Sequence, residues 1–260
     1  MPSTWTDLHA HLSSFDDNEL AATLEEAMRS GVGTILGAAT DLASSVTVVR
    51  QCRTKGPVIL YGAVGISPFD VVNLPGGWEQ QLAVLSQNPR IIAIGEIGID
   101  ESDNKRYPPV SLQLPVFERQ IAIAAASGLP AIIHSRGAEQ RAAELCKSIG
   151  AEKIVFHCFT GDRETLKKIL DFGYYVSISG IATFSDRVRD LASYVPLDRL
   201  LIETDSPYLA PVPHRGKTNR PAWVGLVGEA VAACKGIDTE TLKEALAENF
   251  GRLFQIAEVN

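Results

Sequence analysis

The sequence has few cysteines, few histidines, no long hydrophobic run and no surplus of positive charge. Each shortage excludes something. Cys52, Cys146, Cys158 and Cys234 are the only thiols in 260 residues, and no two form a C-x-x-C pair. A chain this long buries a large core without disulfide staples, so reduced thiols and a cytoplasmic location are expected. The most apolar stretch, 121–133, is broken by Ser127, Gly128 and Pro130, so it is not a membrane span. The first strand is predicted to start at about Trp5, with no basic and apolar leader ahead of it. Acidic residues number 31 and basic residues 24, a formal net charge of −7. A dedicated polyanion binder carries a basic face, so a phosphate-bearing substrate here has to be held by local charge. No linker, low-complexity tract or long repeat divides the chain. One domain over 1–260 is expected, with no obligate protein partner.

Hydrophobic residues make up 45% and charged residues 21%, ordinary for a globular protein. Short runs rich in valine and isoleucine predict strands at 4–9, 33–39, 58–65, 91–97, 130–135, 153–158, 173–179 and 199–204. Most are apolar on both parities, the pattern of strands covered on both faces. Amphipathic segments between them predict helices at 17–30, 41–54, 78–88, 111–127, 138–149, 162–171, 185–194, 222–234 and 239–253. Strand and helix alternate eight times, which predicts a closed (β/α)8 TIM barrel. The alternative is an open doubly wound sheet; no Gly-rich phosphate fingerprint follows the first strand, which weakens it. The proline-rich stretch 207–221 follows the last strand, where a barrel builds its active-site loops.

Five histidines occur, and His9, His11, His134 and His157 each stand at the C-terminal end of a predicted strand. Glu96 is expected to close strand four and Asp205 strand eight. Barrel active sites form at that rim from several strands at once. Imidazoles and carboxylates converging there are metal ligands by type. His9 and His11 lie two residues apart on a strand, so both face one side. A lone strand-end histidine is more often a satisfied polar group; six such residues together make a metal site the stronger reading. Asp7 and Glu203 lie two residues from candidate ligands and either orient an imidazole or are buried charges satisfied by backbone. Arg136 either meets a substrate phosphate or forms an ordinary ion pair. Cys158 follows a ligand and is expected to point into the core. His214, in the loop, is expected to be exposed.

The segments Asp-Leu-His-Ala-His (7–11), Ala-Ile-Gly-Glu-Ile-Gly-Ile-Asp (93–100), Ile-Ile-His-Ser-Arg (132–136), Val-Phe-His-Cys-Phe-Thr-Gly (155–161) and Ile-Glu-Thr-Asp-Ser-Pro-Tyr-Leu-Ala-Pro (202–211) resemble, in order, the signatures of TatD-type hydrolases. The stretch 113–124, with Phe117 and Gln120, and 248–254 are similar as well. The resemblance spans nearly the whole chain. It implies metal-dependent phosphodiester hydrolysis, usually described as DNase activity, with DNA or another phosphodiester as substrate. It assigns His9, His11 and Asp205 to one divalent metal, His134 and His157 to a second, and Glu96 as the bridge. Imidazole-rich ligands suit zinc or manganese, and the resemblance includes magnesium-dependent activity. Asp205 is then the expected proton-handling carboxylate.

Two positions depart from the family pattern. Ser67 stands where the family usually has histidine, and Arg220 where it often has glutamate. Position 67 is expected to face the site. Arg220 either anchors phosphate in place of the absent imidazole or is a solvated surface residue. The rival reading is a metal-dependent hydrolase of a small ester, lactone, amide or phosphotriester, although such sites often add a lysine that strand four lacks. A barrel that holds metal as a sensor or scaffold is the non-enzymatic alternative.

Overall fold

The computed structural model describes residues 3–102 and 107–256. Eight strands run in chain order: β1 (Trp5–Ala10), β2 (Val32–Ala38), β3 (Ile59–Val64), β4 (Ile91–Asp100), β5 (Ala131–Arg136), β6 (Ile154–Phe156), β7 (Tyr175–Ile178) and β8 (Leu200–Ile202). The helices are α1 (Asp17–Arg29), α2 (Leu42–Gln51), α3 (Trp78–Leu85), α4 (Val110–Ser127), α5 (Glu139–Ser148), α6 (Arg163–Asp171), α7 (Asp186–Tyr194), α8 (Val224–Lys235) and α9 (Thr239–Phe254). Every strand pairs in parallel with the next, in the order β1 to β8.

The first and last strands meet just past their C-terminal ends. Asp205 N–H donates to the His9 carbonyl at 2.9 Å and His11 N–H to the Ser206 carbonyl at 2.7 Å. Asp7 adds a side-chain clasp, accepting from Thr204 N–H at 2.8 Å and from Thr204 Oγ1 at 2.6 Å. The open sheet is thereby excluded and the eightfold barrel stands. Among the described residues no helix is long and apolar enough to cross a membrane.

Local sequence explains the helices. Asp16 caps α1 and Glu19 reaches back to the Asp16 N–H, a reciprocal pair that satisfies donors the first turn leaves free. Leu20, Leu24 and Ala27 form its buried stripe. In α4 two buried glutamines two turns apart act as clips on the strands. Gln120 accepts from Ile66 N–H at 2.7 Å and donates to the Ile66 carbonyl at 2.9 Å. Gln113 does the same to Asp100, at 2.8 and 3.0 Å. Both clips hold the chain beside the rim of the barrel.

The core has two parts. One lies between sheet and helices. The other fills the barrel itself, with residues such as Leu8, Leu36, Ile132, Val155 and Leu201, and is plugged by Phe250, Leu253 and Phe254 of α9.

The observed strands differ from expectation at their rims. β6 and β8 stop at Phe156 and Ile202, short of His157 and Asp205. β4 runs on to Asp100, so Glu96 lies within the strand rather than closing it. The β4–β5 register slips between Ile94 and Ile97, which re-aims Glu96. A methyl group on Gly95 would sit 2.7 Å from Ile132 Cβ, and one on Gly98 (φ +147°) would overlap the His134 carbonyl. Only glycine permits this close approach of β4 to β5.

Candidate metal centre

The six ligand candidates converge at the C-terminal mouth of the barrel: five line a cavity of about 490 Å³, and His9 lies fully buried behind them. His9 and His11 come from β1 and just beyond it, Glu96 from β4 and His134 from β5. His157 follows β6, and Asp205 follows β8 in a left-handed backbone conformation, φ +55°. Positive φ is rare outside glycine, and here it turns the carboxylate back over the mouth.

Glu96 stands at the centre. Its Oε2 lies 3.4 Å from His9 Nε2 and 3.5 Å from His11 Nε2. Its Oε1 lies 2.8 Å from His134 Nδ1 and 3.5 Å from His157 Nε2. Each oxygen therefore addresses a different histidine pair. Asp205 Oδ1 lies 3.4 Å from His11 Nε2. The donor atoms fall into three overlapping sets close enough to share an ion: His9, His11 and Glu96; Glu96, His134 and His157; His9, His157 and Asp205.

Carboxylates behind two of the imidazoles set their tautomers. His157 Nδ1 donates to Glu203 Oε1 at 3.2 Å, which leaves Nε2, on the Glu96 side, to take a cation or a second proton. His134 Nε2 donates to Asp100 Oδ2 at 2.9 Å, leaving Nδ1 to face Glu96. Nitrogen atoms then meet nitrogen atoms: His9 Nε2 is 3.2 Å from His11 Nε2, and His134 Nδ1 is 3.3 Å from His157 Nε2. Acceptors crowded this closely repel unless protons or cations lie among them. The donor set and its outward hydrogen bonds fit divalent metal ions.

Titration follows the same geometry. Burial alone would raise the Glu96 carboxyl, but hydrogen bonds from His134, His157 and His9 hold it well below the usual range. Burial would lower His157, yet the adjacent Glu203 carboxylate and Glu96 raise it well above an ordinary imidazole. Asp205 is pushed up by burial and pulled below its ordinary value by His11, with His157 and His9 nearby. It is a carboxylate at neutral pH.

The remaining expected residues divide. Glu203 orients an imidazole. Asp7 does not: its carboxylate is taken by Thr204 and by His9 N–H. The β1–β2 register shifts between Asp7 and Ala10, separating Asp7 from the face of His9. Arg136 lines the cavity and donates to Thr160 Oγ1. Two substrate-contact expectations are corrected. Ser67 is fully buried, its hydroxyl donating to Asp70 Oδ2 at 2.8 Å, while Thr40 and Phe69 form the cavity wall. Arg220 turns away, pairing with Glu26 of α1 at 2.9 Å, because buried Asn219 pins the preceding backbone. Cys158 is buried as expected, its Sγ 3.2 Å from the buried Ser179 Oγ, and at a φ of +46° it also borders the cavity. His214 is half-buried and stacked on Trp223 at 4.0 Å instead of standing free in solvent.

Asp100 went unassigned in the sequence. Its signal is its place four residues after Glu96 in the same motif. Phe69, Tyr107 and Tyr208 also line the cavity, and spacing alone does not single them out.

Residues 6–255 match the model of the TatD-related DNase family. The chain belongs to the TatD family. An uncharacterised metal-dependent hydrolase of Escherichia coli K12, YcfH, is 38% identical over 96% of this TatD chain and 95% of its own length. The 3'-5' ssDNA/RNA exonuclease TatD of Enterobacter lignolyticus is 31% identical over 91% of this chain and 93% of its own. The crystal structure of YjjV, a TatD homologue from E. coli K12, superposes with a TM-score of 0.90 at 26% identity, covering 97% of this chain and 98% of that one. This TatD-family chain is a metal-dependent hydrolase.

Proposed function

We propose that the protein is a phosphodiesterase that cuts nucleic acid strands with two divalent cations. The carrying observation is that Glu96 aims Oε2 at His9 and His11, and Oε1 at His134 and His157. In this reading His9, His11 and Asp205 would hold one cation, His134 and His157 the other, and Glu96 would serve both. When bound, such ions supply Lewis acidity toward water and a phosphoryl oxygen. Glu203 and Asp100 hold the imidazoles in the binding tautomer. Asp205 Oδ1, the oxygen beside His11 Nε2, would share the cation with it, and Oδ2 would accept the proton released by attacking water. Arg136 binds a nonbridging phosphate oxygen. Two cations against two carboxylates leave the mouth locally positive, which draws phosphate despite the net charge of −7. The name of the E. lignolyticus relative supports a nucleic acid substrate.

The test is digestion of end-labelled single- and double-stranded oligonucleotides with magnesium, manganese or zinc, beside a panel of small esters, lactones and amides. Shortened strands are expected. Asp205→Asn should fold and lose at least about a hundred-fold in turnover, because an amide accepts no proton. Turnover of a small ester with every oligonucleotide intact would favour the rival substrate class and overturn the proposal.

A further inference from the structure

Among the residues left without a role by the proposed chemistry are the three non-histidine aromatic rings of the cavity wall: Phe69, Tyr107 and Tyr208. None offers a metal-ligand set, yet they flank the donors on both sides. Tyr208 is 61% exposed, unusual for a large ring on an ordered wall. Its backbone is fixed: its N–H donates to the Asp205 carbonyl at 2.9 Å, and buried Asn219 donates to its carbonyl at 2.6 Å. The ring stands edge-on to His11 with centroids 5.9 Å apart. Across the cavity Phe69 packs against Tyr107 at 4.1 Å and stands edge-on to His134 at 5.1 Å. One aromatic wall therefore rises beside each histidine pair, with Glu96 between them.

The donors lie deep. Glu96 is 3% exposed and His9 not at all. A phosphate that reaches them must leave the cylinder of a duplex. The cavity of about 490 Å³ is of the size that takes a small molecule, roughly 300–1,000 Å³, not a base-paired stack. Bases freed on entry expose both π-faces, and pinned aromatic rings are the side chains that receive them without sequence preference.

We propose that Tyr208 and the Phe69–Tyr107 pair are base-stacking walls that take the two nucleobases flanking the phosphate at Glu96. The inference rests on the phosphodiesterase reading and adds its positioning residues.

Binding separates the two. The manganese-loaded protein is titrated with a cleavage-resistant phosphorothioate single strand, with the same strand carrying an abasic residue at successive positions, and with a blunt duplex. The parent is expected to bind the intact strand at least ten-fold more tightly than the worst abasic strand and than the duplex. Tyr208→Ala should lose most of that preference and Tyr208→Phe should keep it. Phe69→Ala should lose the preference at a different position. Because the Tyr208 ring is largely exposed, Tyr208→Ala should melt like the parent. Equal binding of intact and abasic strands, full preference retained in both alanine variants, or no binding of the strand would each overturn the inference. Base-dependent binding with no cleavage of the ordinary phosphodiester strand would support the stacking walls and overturn the phosphodiesterase reading alone.

Discussion

A carboxylate behind an imidazole decides which ring nitrogen faces the centre. Glu203 and Asp7 have equal standing in the sequence, each two residues from a candidate ligand. The structure separates them: Glu203 touches His157, whereas Asp7 touches Thr204. Removing the Glu203 charge should therefore weaken metal binding while the fold persists. For Glu203→Gln the expected loss is about ten- to a hundred-fold in affinity. Competition for manganese or zinc against a chelating dye measures it, and undiminished affinity would reduce Glu203 to a buried charge with no part in the site. The gathering of the six candidates at one mouth was legible in the sequence because histidine is scarce and every candidate lies at, just past or within a few residues of a strand end. Side-chain direction beyond a strand end was not legible. Arg220 lies in a loop where neighbouring hydrogen bonds, not a period of two, set the outcome.

At the level of elements, the barrel was readable from apolar runs and the helices from their periodicity, since both patterns follow burial. The extent of β4 was not. Its last residues carry the carboxylates Glu96 and Asp100 and glycines at 95 and 98, which read as the end of a strand. They remain extended because Gln113 clips Asp100 and because Gly98 lets β4 lie against His134. A side chain at Gly98 would push β4 off β5 and part Glu96 from His134. Gly98→Ala should cost about 2–4 kcal/mol, a steric clash added to backbone strain. The corresponding fall in Tm is roughly 5–15 °C. Gly76→Ala is the control, since nothing lies within 4 Å of a methyl group there and its φ is ordinary. Thermal melts of the two variants that coincide would show that the close approach at Gly98 is not needed.

For the whole molecule the decisive join is the seam between β1 and β8, which closes the barrel beneath the site. Asp7 spans it from within, fully buried. Burial raises its carboxyl to about 7, against the opposing pull of hydrogen bonds from Thr204 and the His9 backbone. The folded chain thus keeps a proton on Asp7 that the unfolded chain, with an ordinary carboxyl of 3.8, has already released. Where the native state binds more protons, stability falls as pH rises. The contribution of Asp7 is complete below pH 3.8, declines up to about 7, and is absent above. Asp7→Asn removes this titration. Its carbonyl oxygen still accepts from Thr204 N–H, and the Thr204 hydroxyl, which donates to Asp7 Oδ2 in the parent, turns to accept from the new amide. Other titrating groups are common to both proteins and cancel in the difference. In chelator-treated protein, Tm of Asp7→Asn minus Tm of the parent should therefore move in favour of the variant between pH 4.5 and 8. A difference that stays constant across this span would show that Asp7 holds no extra proton, and that the seam is closed by backbone hydrogen bonds without regard to its charge.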